Sequence, residues 1–463
     1  MIKLTLAQVV EATGGVLSGD ADPATVVTGS VEFDSRQVAA GGLFLALPGD
    51  RVDGHDYAGV AIAAGAVAVL AEREVGVASI VVPDGLAALA KLARYVLDRL
   101  PDLVVIGVTG SSGKTSTKDL LAQVLAELGE TVAPPGSFNN ELGHPYTVLR
   151  ATETTRYLVL EKSARGLGHI AALTEIAPPR IGVVLNVGVA HLGEFGDVDT
   201  IERAKGELVE ALPAGTEGGV AVLNADDPRV RAMANRTKAR VVLAGQAPDA
   251  GVRASEVTLD TGGRPEFVLT CPAGSVAIRL ELRGGHQVAN ALAVASVATE
   301  LGMPLDRLAA ALGAAKPVSR RRMEVVERPD GVTLVDDSYN ANPDSMAAAL
   351  RALRAMSAGR RSWAVLGYMA ELGVGEQREH DRIGRLAVRL GVDRLVVVGE
   401  QARPLHLGAV LEGSFGGESV HVPDQDAAID LLRRELKSGD IVLVKGSRYR
   451  VWQVADAVRG GSV

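Results

Sequence analysis

The chain has 463 residues, of which 47% are apolar, 22% charged and only 3% aromatic, with a net charge of −8 and a single cysteine, Cys271. Such a length calls for about three domains of ~100–200 residues, with cores filled by Ala, Val and Leu rather than by rings. The acidic balance, with no basic block, argues against a broad nucleic-acid groove or a polybasic membrane contact, and one cysteine excludes an intrachain disulfide or a thiolate metal cluster. The N-terminus up to Glu11 lacks a basic segment followed by a long apolar core. The longest uncharged apolar run, Ala58 to Ala71, falls short of the ~18 residues of a membrane span. These features predict a cytoplasmic protein with no secretory leader and no membrane span.

Residues 1–100 read as a small first α/β unit. It contains Phe33-Asp34-Ser35-Arg36, a short strand within Gly41–Leu47, and a loop rich in Gly, Asp and His from Pro48 to Asp56. Such a loop between apolar strands is either a binding loop or a set of plain surface turns. Ala58–Ala71 reads as a buried helix followed by a strand.

Residues 101–316 carry the most informative stretch, Gly107-Val108-Thr109-Gly110-Ser111-Ser112-Gly113-Lys114-Thr115-Ser116. An apolar run, Leu103–Ile106, leads into it, and Leu120, Leu121, Val124, Leu125 and Leu128 after it form a helical stripe. Strand, glycine turn, Lys-Thr and helix is the arrangement that cradles a nucleoside triphosphate: backbone amides and a helix N-terminus meet the phosphates, a lysine neutralises them, and a hydroxyl holds Mg²⁺. The usual first glycine of that pattern, five residues before Gly113, is here Val108. Further strands are expected at Val104–Thr109, Tyr157–Glu161, Ile181–Asn186, Val220–Asn224 and Val241–Ala244, alternating with helices as in a parallel sheet covered on both faces. Ligands in such sheets bind beyond the strands' carboxyl ends, where Glu161, Asn186 and Asn224 fall. Between 252 and 283 the apolar period changes to two, predicting an antiparallel flank; a helix from Val288 to Leu301 follows. Residues 317–463 form a third alternating unit, with strands near Val332–Val335, Trp363–Leu366, Leu395–Val398 and Ile441–Val444. Met346, Leu350, Leu353 and Met356 share one helical face there, as do Ile383, Leu386, Ala387 and Leu390.

Several motifs together resemble the Mur ligase family of peptidoglycan precursor synthesis: the phosphate loop, Ser137-Phe138-Asn139-Asn140-Glu141-Leu142-Gly143, Asp337-Ser338-Tyr339-Asn340-Ala341-Asn342-Pro343, and Phe33–Arg36 through Asp53-Gly54-His55. The resemblance implies an α/β protein of three domains: a small N-terminal domain for a uridine nucleotide, a central P-loop ATP-binding domain on a parallel sheet, and a Rossmann-like C-terminal domain for the incoming amine. Within the family, the Asn-Asn and Tyr-Asn-Ala-Asn-Pro stretches point to the branch that joins D-alanyl-D-alanine to UDP-N-acetylmuramoyl-tripeptide, using ATP and Mg²⁺ and acting as a monomer. It implies nucleotide contacts from Gly110, Ser111, Ser112, Gly113, Lys114, Thr115 and Ser116, from Asn290 at the adenine, Arg322 at the γ-phosphate and Asp337 at the ribose. Two Mg²⁺ ions are implied at Thr115, Glu161, His191 and Lys205, the last carbamylated, with Lys114, His191 and Lys205 in catalytic roles. Substrate contacts fall to Ser35, Arg36, Asn139, Asn140, Tyr339, Asn340 and Asn342, and Lys445-Gly446-Ser447-Arg448 resembles the family's closing motif. Taken alone, Glu161 is a surface acid, Lys205 a solvated helix lysine, and the other stretches ordinary turns and helix starts.

The chain departs from the family pattern at two positions. Lys162 stands where a methionine follows the metal-binding glutamate; strand alternation turns it away from Glu161, and burial would force it to find an acceptor, lose its proton or reach water. Tyr368 replaces an acidic residue expected at a cleft-facing strand end, a loss that Glu371 can offset. Another Mur-type or folylpolyglutamate-type ligase, a ligase homologue of reduced activity, and a P-loop ATPase that drives motion all stay open at this point.

Overall fold

Among the described residues, three large sheets, each built from one contiguous stretch of sequence, carry the chain, beside a small antiparallel pair of Leu4–Thr5 with Val26–Val27. The computed structural model describes residues 1–49, 52–414, 416–447 and 450–461. Asp50 and Arg51 of the first unit's Gly/Asp-rich loop, and Arg448 of the C-terminal motif, lie outside the described residues. The first sheet runs Val16–Ser18, Ser79–Val81, Ala68–Ala71, Leu43–Leu45, Val31–Glu32 in spatial order, parallel except at the first pair. Its helix Gly85–Leu97 is capped by Asp84 and buries Ala88, Leu89, Leu92, Ala93 and Val96, a spacing of three and four. The expected helix and strand are present as Ala58–Ala63 and Ala68–Ala71, but only the strand is buried throughout: the helix turns Ala58 and Ala61 inward and leaves Val60 exposed.

The second sheet has nine strands, in the order Gly274–Arg279, Pro265–Cys271, Val252–Leu259, Arg240–Gly245, Val220–Asn224, Ile181–Val184, Val104–Thr109, Tyr157–Glu161, Thr131–Val132. Pairing is parallel as far as Val252–Leu259 and antiparallel beyond it. The period-two flank of the sequence is therefore real, and its first strand is the adaptor that pairs parallel on one side and antiparallel on the other. Val108 is fully buried inside Val104–Thr109, so the strand occupies the place of the usual first glycine and the loop opens only at Gly110. The stripe Leu120, Leu121, Val124 and Leu125 packs against this sheet. The third sheet orders Glu324–Glu327, Thr333–Asp336, Ile441–Lys445, Ser362–Leu366, Arg394–Val398, Ser419–Val422, antiparallel only at its first pair. Met346, Leu350, Leu353 and Met356 are buried along one face of Pro343–Ser357. Among the described residues, no helix is long and apolar enough to cross a membrane.

The first two units share one apolar core. Leu4, Leu43, Leu45, Leu70 and Leu89 of the first pack in one cluster with Val148, Leu149, Leu158 and Leu160 of the second. Lys162 is fully buried beside it. Its Nζ lies 2.9 Å from His144 Nε2 and donates to the carbonyls of Leu173 (3.0 Å) and Ala177 (3.1 Å). Those carbonyls lie at the end of the helix His169–Ile176, where the helix dipole is negative; the Leu173 oxygen also accepts from Ala177 N at 3.2 Å. Burial pulls the Lys162 pKa down to about 7; His144 is pushed well below the usual histidine value by burial and then by Lys162, so its ring is neutral. The lysine stem also explains Gly107: a Cβ there would sit 3.0 Å from Lys162 Cε and 2.9 Å from Leu208 Cδ1. Gly107 is a packing requirement of the strand interior and not part of the phosphate loop.

Between about pH 7 and the unfolded lysine value of 10.5, the unfolded chain holds a proton on Lys162 that the folded chain does not. The lysine's contribution to stability therefore rises with pH across that window, by up to ~1.4 kcal/mol per unit. Denaturant unfolding of wild type and Lys162→Met at pH 6.5, 8 and 9.5 will show the difference moving in favour of wild type as pH rises. Lys162→Ala, which empties the space and takes the lysine's donor from the Ala177 carbonyl, will lose ~3 kcal/mol or more at pH 8.

Candidate active site between the second and third units

The carboxyl end of the central sheet and the loops of the third unit enclose a cavity of about 420 Å³. Its floor is the turn Ser111–Ser116. Gly113 takes a left-handed conformation, φ 81°, as the residue before helix Lys114–Ala126, and a Cβ there would press on Asn290 Oδ1 at 2.9 Å. Asn186 fixes the turn from the neighbouring strand end: its Oδ1 accepts from Ser112 N at 2.9 Å and its Nδ2 donates to Ser112 O at 3.2 Å. Gly188 N donates to Ser111 Oγ at 2.9 Å, and Asn224 Nδ2 to Leu185 O at 2.8 Å. Lys114 Nζ donates to Gly110 O at 2.6 Å; burial lowers its pKa while Glu161 opposes the shift.

One wall gathers groups that suit phosphate and a cation. Glu161 is 1% exposed; Asn139 Nδ2 donates to its Oε2 at 3.2 Å, and its Oε1 has no partner among the described residues. Ser137 Oγ lies 3.0 Å from Thr115 Oγ1. Arg322, from the third unit, donates to Ser137 Oγ (3.1 Å) and Thr115 Oγ1 (3.3 Å), lies 4.1 Å above the Tyr339 ring, and keeps a buried Nε that has no partner among the described residues. A buried oxygen and a buried N–H left without partners in one cavity are costly unless a ligand completes them.

A second wall is shared between units. His191, at φ 60°, sets its Nδ1 2.5 Å from Glu371 Oε2 and 3.8 Å from Glu194 Oε2, the three side chains forming a group that could hold a metal ion. Burial lowers the His191 pKa, with Glu371 acting against it. Gly193 N donates to Glu371 O at 2.9 Å, and a Cβ on Gly193 would meet the Gly373 backbone at 2.9 Å, so the two units touch backbone to backbone. Lys205, expected among the metal-holding residues, is 5% exposed on helix Val198–Glu210 and is not among the residues that line the cavity. Burial, and then Lys114, push its pKa well below the ordinary lysine value. Ordinary solvation of Lys205 is thereby overturned: its neighbours on the helix face, Ile201, Ala204 and Leu208, are core residues.

The roof comes from the third unit. Asp337 accepts from Met323 N (3.1 Å) and from Lys445 Nζ (2.6 Å); burial draws the Lys445 pKa down. Lys445 also donates to Asn340 O at 2.9 Å, and Tyr339 is 50% exposed. Asn342 caps helix Pro343–Ser357 through Ser345 N and donates to Ser111 O at 3.3 Å, so its side chain is committed to the helix and the loop. Tyr368 does not face the cavity: it is 9% exposed, donates to Glu376 Oε2 at 2.5 Å and stacks on His380. Glu371 lines the cavity instead.

The site thus joins Ser111–Ser116, Asn139, Glu161, His191, Asn290, Arg322, Asp337, Tyr339, Asn340 and Asn342. Asn140 accepts from Gly143 N and shapes the loop rather than lining the cavity. Ser35 and Arg36 do not line it, Arg36 lying exposed in an ion pair with Asp34. Sequence reasoning assigned no site role to Ser137, Arg165, Glu194 and His286, which line the cavity or join its metal-binding group; Ser137 opens the motif that holds Asn139, His286 stands four residues before Asn290, and Glu194 lies three residues after His191, whereas Arg165 carried no local signal. Arg322 emerges from its three-arginine run as the inward-facing member, while Arg321 pairs with Asp456.

A glycine turn feeding a lysine–threonine helix, with anion-binding groups closing over it from another α/β unit, defines a P-loop protein that handles a nucleotide between domains. Family models place this further: "Mur ligase family, catalytic domain" matches residues 29–97, "Mur ligase middle domain" residues 108–298, and "Mur ligase, glutamate ligase domain" residues 321–448. The chain belongs to the Mur ligase family. It is 56% identical to the UDP-N-acetylmuramoyl-tripeptide–D-alanyl-D-alanine ligase of Mycobacterium tuberculosis, covering 99% of this chain and 98% of that one. Identity to the ligase of that name from Escherichia coli K12 is 36%, over 97% and 96% of the two chains. Among solved structures, MurF from Acinetobacter baumannii superposes with a TM-score of 0.87 at 32% identity over 99% and 98% of the chains. MurF from Thermotoga maritima in complex with ADP gives 0.80 at 30% identity over 94% and 98%.

Asn186→Ala removes both bonds that hold Ser112 and will weaken ADP binding about tenfold by calorimetry, the effect of losing ~1–1.5 kcal/mol of loop organisation.

Proposed function

We propose that this protein joins D-alanyl-D-alanine to UDP-N-acetylmuramoyl-tripeptide at the expense of ATP, giving UDP-N-acetylmuramoyl-pentapeptide, ADP and phosphate in peptidoglycan precursor synthesis. The observation that carries this reading is the 56% identity, running through all three units, to a ligase so named. The tripeptide's terminal carboxylate attacks the γ-phosphorus of ATP and ADP departs, leaving an acyl phosphate. The dipeptide's amine, having lost a proton, attacks the acyl carbon; phosphate leaves as the amide forms. Chemistry of this kind asks the protein chiefly to align three substrates and neutralise phosphate charge.

In this reading the amides of Gly110–Ser116 and the Lys114 ammonium hold the β- and γ-phosphates, and Arg322 brings its unpartnered Nε to the γ-phosphate from the third domain. Asn290 meets the adenine and Asp337 the ribose. Thr115, Glu161, His191 and Lys205 are the residues that would hold two Mg²⁺ ions: Thr115 and Glu161 supply hard oxygen donors, Glu161 with a buried oxygen that has no partner among the described residues, and Lys205 would supply oxygen only as a carbamate. When bound, Mg²⁺ screens phosphate charge. A buried, neutral Lys205 amine is the form that adds CO₂, releasing a proton and giving a carbamate, which converts a misplaced cation into an oxygen donor. Ser35 and Arg36 bind the uridine diphosphate end; Asn139, Tyr339 and Asn340 border the reacting ends of tripeptide and dipeptide, with Asn140 and Asn342 holding the loops that carry them. Domain boundaries near residues 100 and 317, and a cytoplasmic location, go with this assignment.

Incubating the protein with ATP, Mg²⁺, the UDP-linked tripeptide and D-alanyl-D-alanine will yield the UDP-linked pentapeptide by mass; ADP release that ignores the amine would instead mark a plain ATPase. With ¹³C-bicarbonate, wild type will show a carbamate resonance that Lys205→Gln lacks, and that variant will lose kcat about a hundredfold or more.

A further inference from the structure

Ser137, Phe138 and Asn139 are consecutive, yet they serve two places. Ser137 and Asn139 line the nucleotide cavity, where they touch Thr115, Arg322 and Glu161. Phe138 between them takes the opposite side and joins Phe33 and Tyr146. The ring centroids lie 6.3 Å apart for Phe33–Phe138, 5.8 Å for Phe138–Tyr146 and 5.1 Å for Phe33–Tyr146, the last two edge-on. Edge-on and tilted pairs at this spacing are attractive and directional. Tyr146 is itself immobilised: it is buried on helix Gly143–Val148 and its O–H donates to Glu32 Oε2 at 2.9 Å. Gly143 leaves no room for a side chain, because a Cβ would press on Phe138 at 2.7 Å. Glu32 ends the edge strand of the first sheet, and Phe33 directly precedes Asp34-Ser35-Arg36.

We infer that Phe138 is a positioning residue through which the docked first domain sets the Ser137 hydroxyl and the Asn139 amide against the ATP and metal groups. The next residue, Asn140, is held from the helix Gly143–Val148 as well, its side chain accepting from Gly143 N and its carbonyl from His144 N, each at 2.9 Å, so the loop leaves the ring cluster on a fixed course. The three-ring cluster is the rigid body from which both are held. Because Phe33 borders the proposed uridine-nucleotide loop, seating of that substrate and the geometry at the γ-phosphate share one mechanical element. The inference rests on the ligase reading for its catalytic consequence and on geometry alone for its binding consequence.

The test uses the full chain with Phe138→Ala, Phe33→Ala, the double variant and Phe138→Leu. Each is measured for pentapeptide formation, for Mn²⁺–ADP affinity without any UDP-linked substrate, and for melting temperature. Phe138→Ala will lower kcat about thirtyfold and weaken Mn²⁺–ADP about tenfold. Phe33→Ala will move both quantities the same way although it touches no nucleotide group. The double variant will be no worse than Phe138→Ala, as expected of residues acting as one unit, and Phe138→Leu will recover most of the loss. Wild-type Mn²⁺–ADP affinity in folded Phe33→Ala and Phe138→Ala would overturn the inference, as would defects that multiply in the double variant or a loss that tracks melting temperature alone. If wild type makes no pentapeptide, the ligase reading fails, and the Mn²⁺–ADP arm still decides this one.

Discussion

A loop that offers its amides to phosphate cannot spend them on its own fold, so something outside must hold it. Here that is Asn186, whose side-chain amide pairs with both the N–H and the C=O of Ser112. The arrangement depends on the parallel register of Ile181–Val184 against Val104–Thr109, with Val184 opposite Thr109, which brings both strands to an end at one level. Everything functional in the cavity is measured from that level: Glu161 from the strand on the far side, Asn224 one strand further on, Asn290 against Gly113. A one-residue slip of the strand that carries Glu161, or of the one that carries Asn224, would turn that side chain to the opposite face.

The sequence made the sheet interiors legible because buried parallel strands are continuous apolar runs. Val104–Thr109, Tyr157–Glu161 and Val220–Asn224 fall where those runs fall. What escaped was at the edges. Thr131–Val132 has two residues, Ser419–Val422 alternates with Ser and His, and Glu324–Glu327 is bracketed by acids; each is defined by its partner strand rather than by its own pattern. In the site, strand-end polar residues and the glycine turn could be read locally. The His191–Glu371 pair spans 180 positions, and the direction taken by Tyr368 depends on Glu376 and His380 packed beneath it. No local period encodes such pairings. Lys162 was legible as a problem, an ammonium in an apolar place, but its solution at the end of helix His169–Ile176 was not.

The contacts between the units differ in kind. The first and second are joined by a shared apolar core, which resists relative motion. The second and third meet chiefly through polar and backbone contacts around the cavity, at Gly188 near Asp344, Gly193 near Gly373 and Arg322 near Ser137. The segment leading to the third unit is tied to the phosphate-loop helix: Lys316 exchanges two hydrogen bonds with Gln123, and Ser319 N donates to Asp119. Beyond it, Arg321 and Met323 both adopt positive φ on either side of Arg322. Two non-glycine residues held in the left-handed region store strain of order 1 kcal/mol each, and the aim of Arg322 into the cavity is what that strain supports.

Gly107 and Lys162 occupy one volume between the strand Val104–Thr109 and Leu208. Neither can be exchanged freely while the other stays: a larger residue at 107 collides with the lysine stem, and a shorter one at 162 opens a void over the glycine. Across related sequences the two positions should therefore drift as a linked pair. A lineage moving between lysine and an apolar residue at 162 must pass through a poorly packed intermediate, or change His144 and the end of helix His169–Ile176 along with it.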